Sequence, residues 1–311
     1  MSARNPARAA PCGILNVAKP PGITSHDVVD AIRWATGLRR VGHAGTLDPA
    51  ATGVLLVCLG SATRVSDYLM ASTKAYRATI RFGEVSTTDD AEGELTVSGS
   101  VDSLDKLSIQ QALLQFVGEI DQVPPSYAAI KIAGQPLYRR ARAGQPVLAP
   151  PRRVQIERIE LVAWQQPEIV VDVTCSKGTY LRALARDLGR DLGCGAYLRS
   201  LVRTRSGRFS LDSASSLDEI ALAARAGYLD RLLYPLDVAF ADWPAVVLEP
   251  EVVAQLRNGR YWTGDVSPGL TGLRAYAVDT GRLVAILRAE GGEASWRPAI
   301  VFREDEADDA A

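Results

Sequence analysis

Six side chains in this sequence of 311 residues have types and surroundings suited to joint chemistry: Lys19, His43, Asp48, Tyr76, Tyr180 and Arg182. Asp48 can act as a covalent nucleophile or as a charge stabiliser. It lies in a polar stretch, residues 42–53, made largely of small residues: Gly42, Ala44, Gly45, Ala50, Ala51 and Gly53. Small residues let a large ligand approach the backbone closely. Pro49 follows Asp48 and biases its backbone towards extended conformations. An Asp-Pro pair can also be a mere Asx turn, so the loop alone does not decide. Tyr76 and Tyr180 offer flat faces for a planar ring, and Arg182 offers a guanidinium to hold a carboxylate. Such a set suits an enzyme acting on a base extruded from a nucleic acid, which needs stacking partners and an opened pocket.

The elements that must position these groups follow from local pattern. Residues 54–59 form a short apolar run stopped by Gly60, the signature of a buried strand. From Tyr76 to Phe82, apolar and polar residues alternate, predicting a half-buried strand with Tyr76 at the start of its inward face. Leu181, Leu184, Ala185 and Leu188 recur at helical spacing, so Tyr180 and Arg182 stand at a helix start, with Arg182 off the apolar stripe. A cation there is disfavoured by the helix dipole and calls for an acidic partner, for which Asp48 is a candidate. A strand is expected over 13–18 and a capped helix after Thr24 or Ser25. Further helices are expected over 66–71, 104–117, 215–224 and 251–258. Residues 154–162 and 169–175 read as an antiparallel pair, residues 197–202 as a helix end, and 203–209 as a strand. A linker at 234–244 precedes a small β-rich module with a hairpin about 279–282.

Composition narrows the function classes. No apolar run approaches the ~20 residues of a membrane span, and residues 1–11 lack the apolar core of a signal peptide, so a cytoplasmic location is expected. With two His and four scattered Cys, no metal site is expected. There is no Ser-His-Asp set, no Gly-rich dinucleotide fingerprint, no Walker lysine motif and no second carboxylate of the kind glycosidases use. The net charge is −1, yet residues 122–156 carry six bases (Lys131, Arg139, Arg140, Arg142, Arg152, Arg153) and no acid. Residues 195–211 carry Arg199, Arg203, Arg205 and Arg208, again without an acid. Basic blocks on an otherwise acidic chain indicate a polyanion-binding face. The first block is bracketed by prolines and interleaved with Tyr127 and Tyr138, as a nucleic-acid-gripping insertion would be.

The run Gly42-His43-Ala44-Gly45-Thr46-Leu47-Asp48-Pro49, with Ala51-Thr52-Gly53-Val54-Leu55, resembles the central motif of the TruB family of bacterial tRNA pseudouridine synthases. The resemblance extends over about 13–237. It takes in Lys19-Pro20, Ser25-His26-Asp27, residues 74–77, residues 124–131 with Leu137-Tyr138, residues 175–182 and residues 201–207. Val202 stands where a second basic residue is expected, and Tyr197 where a histidine is expected.

What the resemblance implies is specific. The fold is α+β: a catalytic domain over 13–240 with a mixed, largely antiparallel sheet and an RNA-gripping insertion near 123–152. A small β-rich PUA-like domain over 246–303 follows, with disordered ends at 1–12 and 304–311. The activity is isomerisation of uridine 55 in the TΨC loop of tRNA. Asp48 is the nucleophile, Tyr76 stacks on the flipped uracil, Arg182 pairs with Asp48 and Tyr180 lines the pocket. His43 fills the space left in the RNA, Leu201 packs on the base, and Lys19 and Lys131 contact backbone or pocket. Arg139, Arg140, Arg142, Arg152, Arg153, Arg203 and Arg205 are expected on the RNA backbone. The partner is the tRNA T-arm, with no cofactor, metal or obligate protein partner, and a monomer is expected. Alternatives are a synthase for another RNA and a non-catalytic tRNA-binding or folding factor.

Overall fold

The computed structural model describes residues 10–127, 131–132, 135–136, 149–264, 266, 269–290 and 295–303. The chain opens with β1 (Gly13–Lys19), α1 (Ser25–Thr36), β2 (Val41–His43) and β3 (Thr52–Leu59), then α2 (Ser66–Ala71) and β4 (Lys74–Phe82). A small hairpin, β5 (Glu84–Ser86) and β6 (Leu95–Val97), leads to α3 (Lys106–Leu114) and β7 (Gly118–Gln122). Two short strands, β8 (Lys131–Ile132) and β9 (Gln135–Pro136), lie within the insertion. Then come β10 (Arg152–Gln165), β11 (Glu168–Cys175), α4 (Leu181–Asp191), β12 (Ala196–Ser206), β13 (Phe209–Ser210), α5 (Leu217–Ala226) and β14 (Leu233–Tyr234).

The central sheet runs β14-β1-β3-β12-β4-β11-β10-β7, with β2 on β3 and β13 on β12. Its pairings are antiparallel except β3 with β12, so the sheet is mixed and largely antiparallel, as expected. β3 is apolar along its length because it is buried in mid-sheet, whereas β11 alternates.

Three helices, α1, α3 and α5, carry sequence-encoded capping boxes at their starts. Thr24 caps α1 by accepting from the Asp27 amide, and the Asp27 carboxylate accepts from the Thr24 amide at 2.7 Å. Val28, Val29 and Ile32 of α1 pack with Leu15, Val17 and Leu55 of the sheet. The apolar stripe of α4, Leu181, Leu184, Ala185 and Leu188, packs on Ile80, Phe82 and Val171. The helix end expected at 197–202 is instead part of one long strand, β12. Gly193 and Gly195 both take left-handed backbone, so α4 has already ended at Asp191.

A second sheet, β15 (Ala245–Leu248), β16 (Trp262–Thr263), β17 (Gly272–Ala277), β18 (Leu283–Ala289) and β19 (Ser295–Val301), has the order β15-β17-β18-β19-β16 and packs on α6 (Pro250–Arg257). It meets the first unit through Arg288, whose guanidinium lies 4.5 Å from the Trp243 ring centre and 5.4 Å from that of Tyr68 on α2. Arg64 donates to the Val301 carbonyl across the same joint. No helix among the described residues is long and apolar enough to cross a membrane.

Candidate active site

The loop between β2 and β3 is gripped from three sides. Lys19 Nζ, 2% exposed, donates to the carbonyls of Pro49 (3.0 Å), Ala51 (2.8 Å) and Pro20 (2.9 Å). Arg203, also 2% exposed, donates from Nε to Val54 O at 2.6 Å, from Nη1 to Thr46 O at 3.3 Å and from Nη2 to Gly45 O at 3.1 Å. Ser25 Oγ at the start of α1 donates to the Leu47 carbonyl and accepts from its amide. Two buried cations thus collect the loop's carbonyls. Gly45 and Gly53 supply the left-handed backbone that this path requires.

Asp48 stands on the loop at the edge of a cavity of about 790 Å³. Its carboxylate pairs with Arg182 at 3.2 Å rather than capping its own turn. Arg182 lies off the apolar stripe of α4, as its spacing predicts, yet it is only 6% exposed. The same guanidinium reaches Asp90 at 3.4 Å and donates to the carbonyls of Thr88 and Tyr127. The next turn repeats the arrangement: Arg186 pairs with Asp89 at 3.0 Å and donates to Val123 O at 2.8 Å. Asp89 takes φ +63°, a left-handed conformation costly for a residue other than glycine. The bridge from Leu198 N to Asp89 O and the pair with Arg186 hold it there.

Tyr76 and Tyr180 line the same cavity, with Leu181, Leu198 and Leu201 between them and Arg152, Arg153 and Lys177 on the rim. Tyr180 precedes α4, where its amide donates to Gln122 Oε1 at 2.8 Å and its carbonyl accepts from Gln122 Nε2 at 3.1 Å. Gln122 is buried at the end of β7, so one amide side chain ties Tyr180 to the root of the insertion.

The electrostatics follow from burial opposed by charge. Burial raises the Asp48 carboxyl above its ordinary value; Arg182 opposes this and Asp90 adds to it. Burial likewise raises the Tyr76 phenol, with Arg203 opposing, and the Tyr180 phenol, with Arg182 opposing. Burial lowers Lys19, against the pull of Asp48. Lys74, donating to the last carbonyls of α2, is pushed down to about 8 by burial. The cavity therefore presents one restrained carboxylate, a fixed counter-charge, two rings and a basic rim.

The structure brings Asp48, Tyr76, Tyr180, Arg182 and Leu201 to one cavity. His43, half-buried on β2, is not among the residues lining it, and burial lowers its imidazole pKa. Arg152 and Arg153 are exposed at the rim, and Arg205 is exposed on β12. Arg203 is a correction: it was expected on the RNA backbone, but its guanidinium is buried and occupied by loop carbonyls. Lys19 is likewise occupied by carbonyls beneath the loop. The side chain of Lys131, and Arg139, Arg140 and Arg142 entirely, lie outside the described residues. Sequence reasoning missed Asp89, Asp90, Gln122 and Arg186. Arg186 carries a signal in retrospect, standing four residues after Arg182 and also off the apolar stripe.

Comparison with known proteins places the chain in a family. Residues 33–181 match the TruB family pseudouridylate synthase N-terminal domain, and residues 182–241 match the tRNA pseudouridylate synthase B C-terminal domain. A protein of Symbiobacterium thermophilum named tRNA pseudouridine synthase B is 46% identical over 260 residues, covering 83% of this chain and 85% of its own. The protein of that name in Ruegeria pomeroyi is 42% identical over 297 residues, covering 94% and 96%. The chain belongs to the TruB family. As a TruB-family enzyme it is a pseudouridine synthase, an isomerase. The fold is shared with a chain in the crystal structure of a Cbf5-Nop10-Gar1 complex, at TM-score 0.72 and 26% identity over 95% of this chain and 86% of that one. The second matched segment includes β12, so in this TruB-family chain it contributes to the central sheet rather than to the separate five-stranded sheet.

Proposed function

We propose that this enzyme isomerises uridine 55 in the TΨC loop of tRNA to pseudouridine, with Asp48 as its nucleophile. The observation that carries the reading is the Asp48–Arg182 pair, set at the edge of the cavity that Tyr76 and Tyr180 line. The relatives' names, tRNA pseudouridine synthase B, support tRNA as the substrate.

The uridine flips from the RNA into the cavity and stacks on Tyr76, with Leu201 against the base and Tyr180 on the wall. Asp48 adds to the nucleotide and the N1–C1′ bond breaks. The uracil turns, its C5 forms the new bond to C1′, and the bond to Asp48 breaks to return the free carboxylate. The C5 proton then leaves to the Tyr76 oxygen while N1 takes a proton, so the reaction is redox-neutral. Arg182 keeps the carboxylate charged and aimed. His43 fills the gap left in the RNA. Arg152, Arg153 and Arg205, with Lys131, Arg139, Arg140 and Arg142, meet the phosphates. The enzyme acts as a monomer in the cytoplasm without an obligate protein partner.

The test is incubation of the purified enzyme with unmodified tRNA and with a T-arm hairpin, followed by position-resolved mass spectrometry. A single pseudouridine at position 55 in both is expected. Modification elsewhere, or failure on the hairpin, would transfer the activity to another RNA.

A further inference from the structure

Arg203 lies at the seam between the two strands that carry the chemistry. On β12 it is registered with Tyr76 of β4 on one side and with Gly53 of β3 on the other. The packing admits no slack: a Cβ on Gly53 would come within 2.2 Å of the Arg203 carbonyl oxygen. From this position the guanidinium donates to the carbonyls of Gly45, Thr46 and Val54, and it lines the same cavity as Tyr76, its cross-strand partner. No carboxylate among the described residues pairs with Arg203, and the titratable groups of Lys19 and His43 lie close enough to feel its charge. A buried charge served only by dipoles is costly. The charge itself has a use at a neighbour that can become an anion. Tyr76 is that neighbour; Cys175 of β11 and Asp48 also face its phenol, and both oppose its ionisation.

We propose that Arg203 is a positioning residue for the proton-removal step, holding the Tyr76 oxygen as a charge-stabilised acceptor beside the Asp48 loop. The inference rests on the reading of the chain as a uridine isomerase. In that step the Tyr76 phenolate takes the proton from C5. The C5–H electron pair re-forms the C5–C6 double bond, and the C6–N1 double bond opens to nitrogen, which takes a proton from water. Phenol and hydroxide then recombine to phenolate and water.

The experiment compares wild type, Arg203→Lys, Arg203→Met and Tyr76→Phe on tRNA carrying 5-protio- or 5-deutero-uridine, between pH 6 and 9.5. Arg203→Met should lower kcat by roughly 100-fold, the low end of general-base contributions, with KM within about threefold. Its C5 isotope effect should rise above that of wild type, and its rate should keep climbing with pH beyond the wild-type plateau, because loss of the cation leaves less phenolate. Arg203→Lys should recover part of each property, and in the Tyr76→Phe background the Arg203 substitution should leave the isotope effect unchanged. Unchanged isotope effects with activity falling in step with melting temperature would overturn the proposal, leaving Arg203 as a support alone. A raised KM with a shallower salt dependence would also overturn it, returning Arg203 to phosphate binding. If Arg203→Met does not fold, Arg203→Lys carries the same readouts, and a wild-type pH profile and isotope effect there would contradict the proposal. Absence of pseudouridine from the wild-type reaction would instead count against the proposed function.

Discussion

Asp48 and Arg182, 134 residues apart in the chain, meet at 3.2 Å on the cavity edge, from a loop and from the first turn of α4. Arg182 opposes a carboxyl pKa that burial has raised. A nucleophilic carboxylate must be ionised, so activity should be lost as pH falls through that raised value, giving an acid limb at higher pH than an exposed aspartate would give. Arg182→Met removes the opposing cation and should move the limb to still higher pH while lowering kcat by at least ~100-fold, the scale of a lost preorganised charge contact. Single-turnover rates against pH check this; a limb that stays in place would contradict the coupling.

Asp90 shares the guanidinium and raises the Asp48 pKa. Asp90→Asn should therefore shift the acid limb down. It should also lower kcat, roughly 10-fold or more, because Arg182 loses one of its two carboxylate anchors and a misplaced charge contact is costly. A pH series on this variant tests the two signs separately.

The parts of the site legible in the sequence are those written in short-range pattern. The Gly-rich loop, the alternating strand from Tyr76 and the helical stripe after Tyr180 each specify their own element, and a cation at a helix start demands an acid. Asp90 was not legible because its polar loop has no periodicity, and its place depends on the left-handed turn at Asp89 and on Arg186 one helical turn away. Arg203 was misassigned for a related reason. An acid-free run of arginines looks like surface, and only the registers with Gly53 and Tyr76 reveal one of them as interior. Gln122 gave no signal, since an isolated glutamine before Val123 and two prolines carries no pattern. The long strand β12 was divided in the sequence reading because its inner segment mixes exposed Arg199 and Ser200 with buried Leu198.

Gln122 satisfies both backbone groups of Tyr180. Gln122→Leu leaves a donor and an acceptor unpaired at about 1–3 kcal/mol each. The melting temperature should fall, and kcat should fall by roughly 10-fold as Tyr180 and Arg182 lose their alignment. Gln122→Glu keeps one acceptor and should lie between wild type and Leu. Equal activity in all three would remove Gln122 from the positioning of α4.

Arg152 and Arg153 stand at the cavity rim, Arg153 with only loose contacts of 3.8 and 3.9 Å to Glu119 and Asp121. If each meets a phosphate, their joint replacement by Ala should flatten the log Kd against log salt slope for tRNA by about 1.4–1.8. kcat at saturating tRNA should be little changed. An unchanged slope would assign both residues to ordinary surface.

The most direct measurement is tritium release from tRNA carrying 5-tritiated uridine by Asp48→Asn. The account predicts no release above background with tRNA affinity within about tenfold of wild type, ~1.4 kcal/mol. Release near the wild-type rate would contradict Asp48 as the nucleophile on which the site is built.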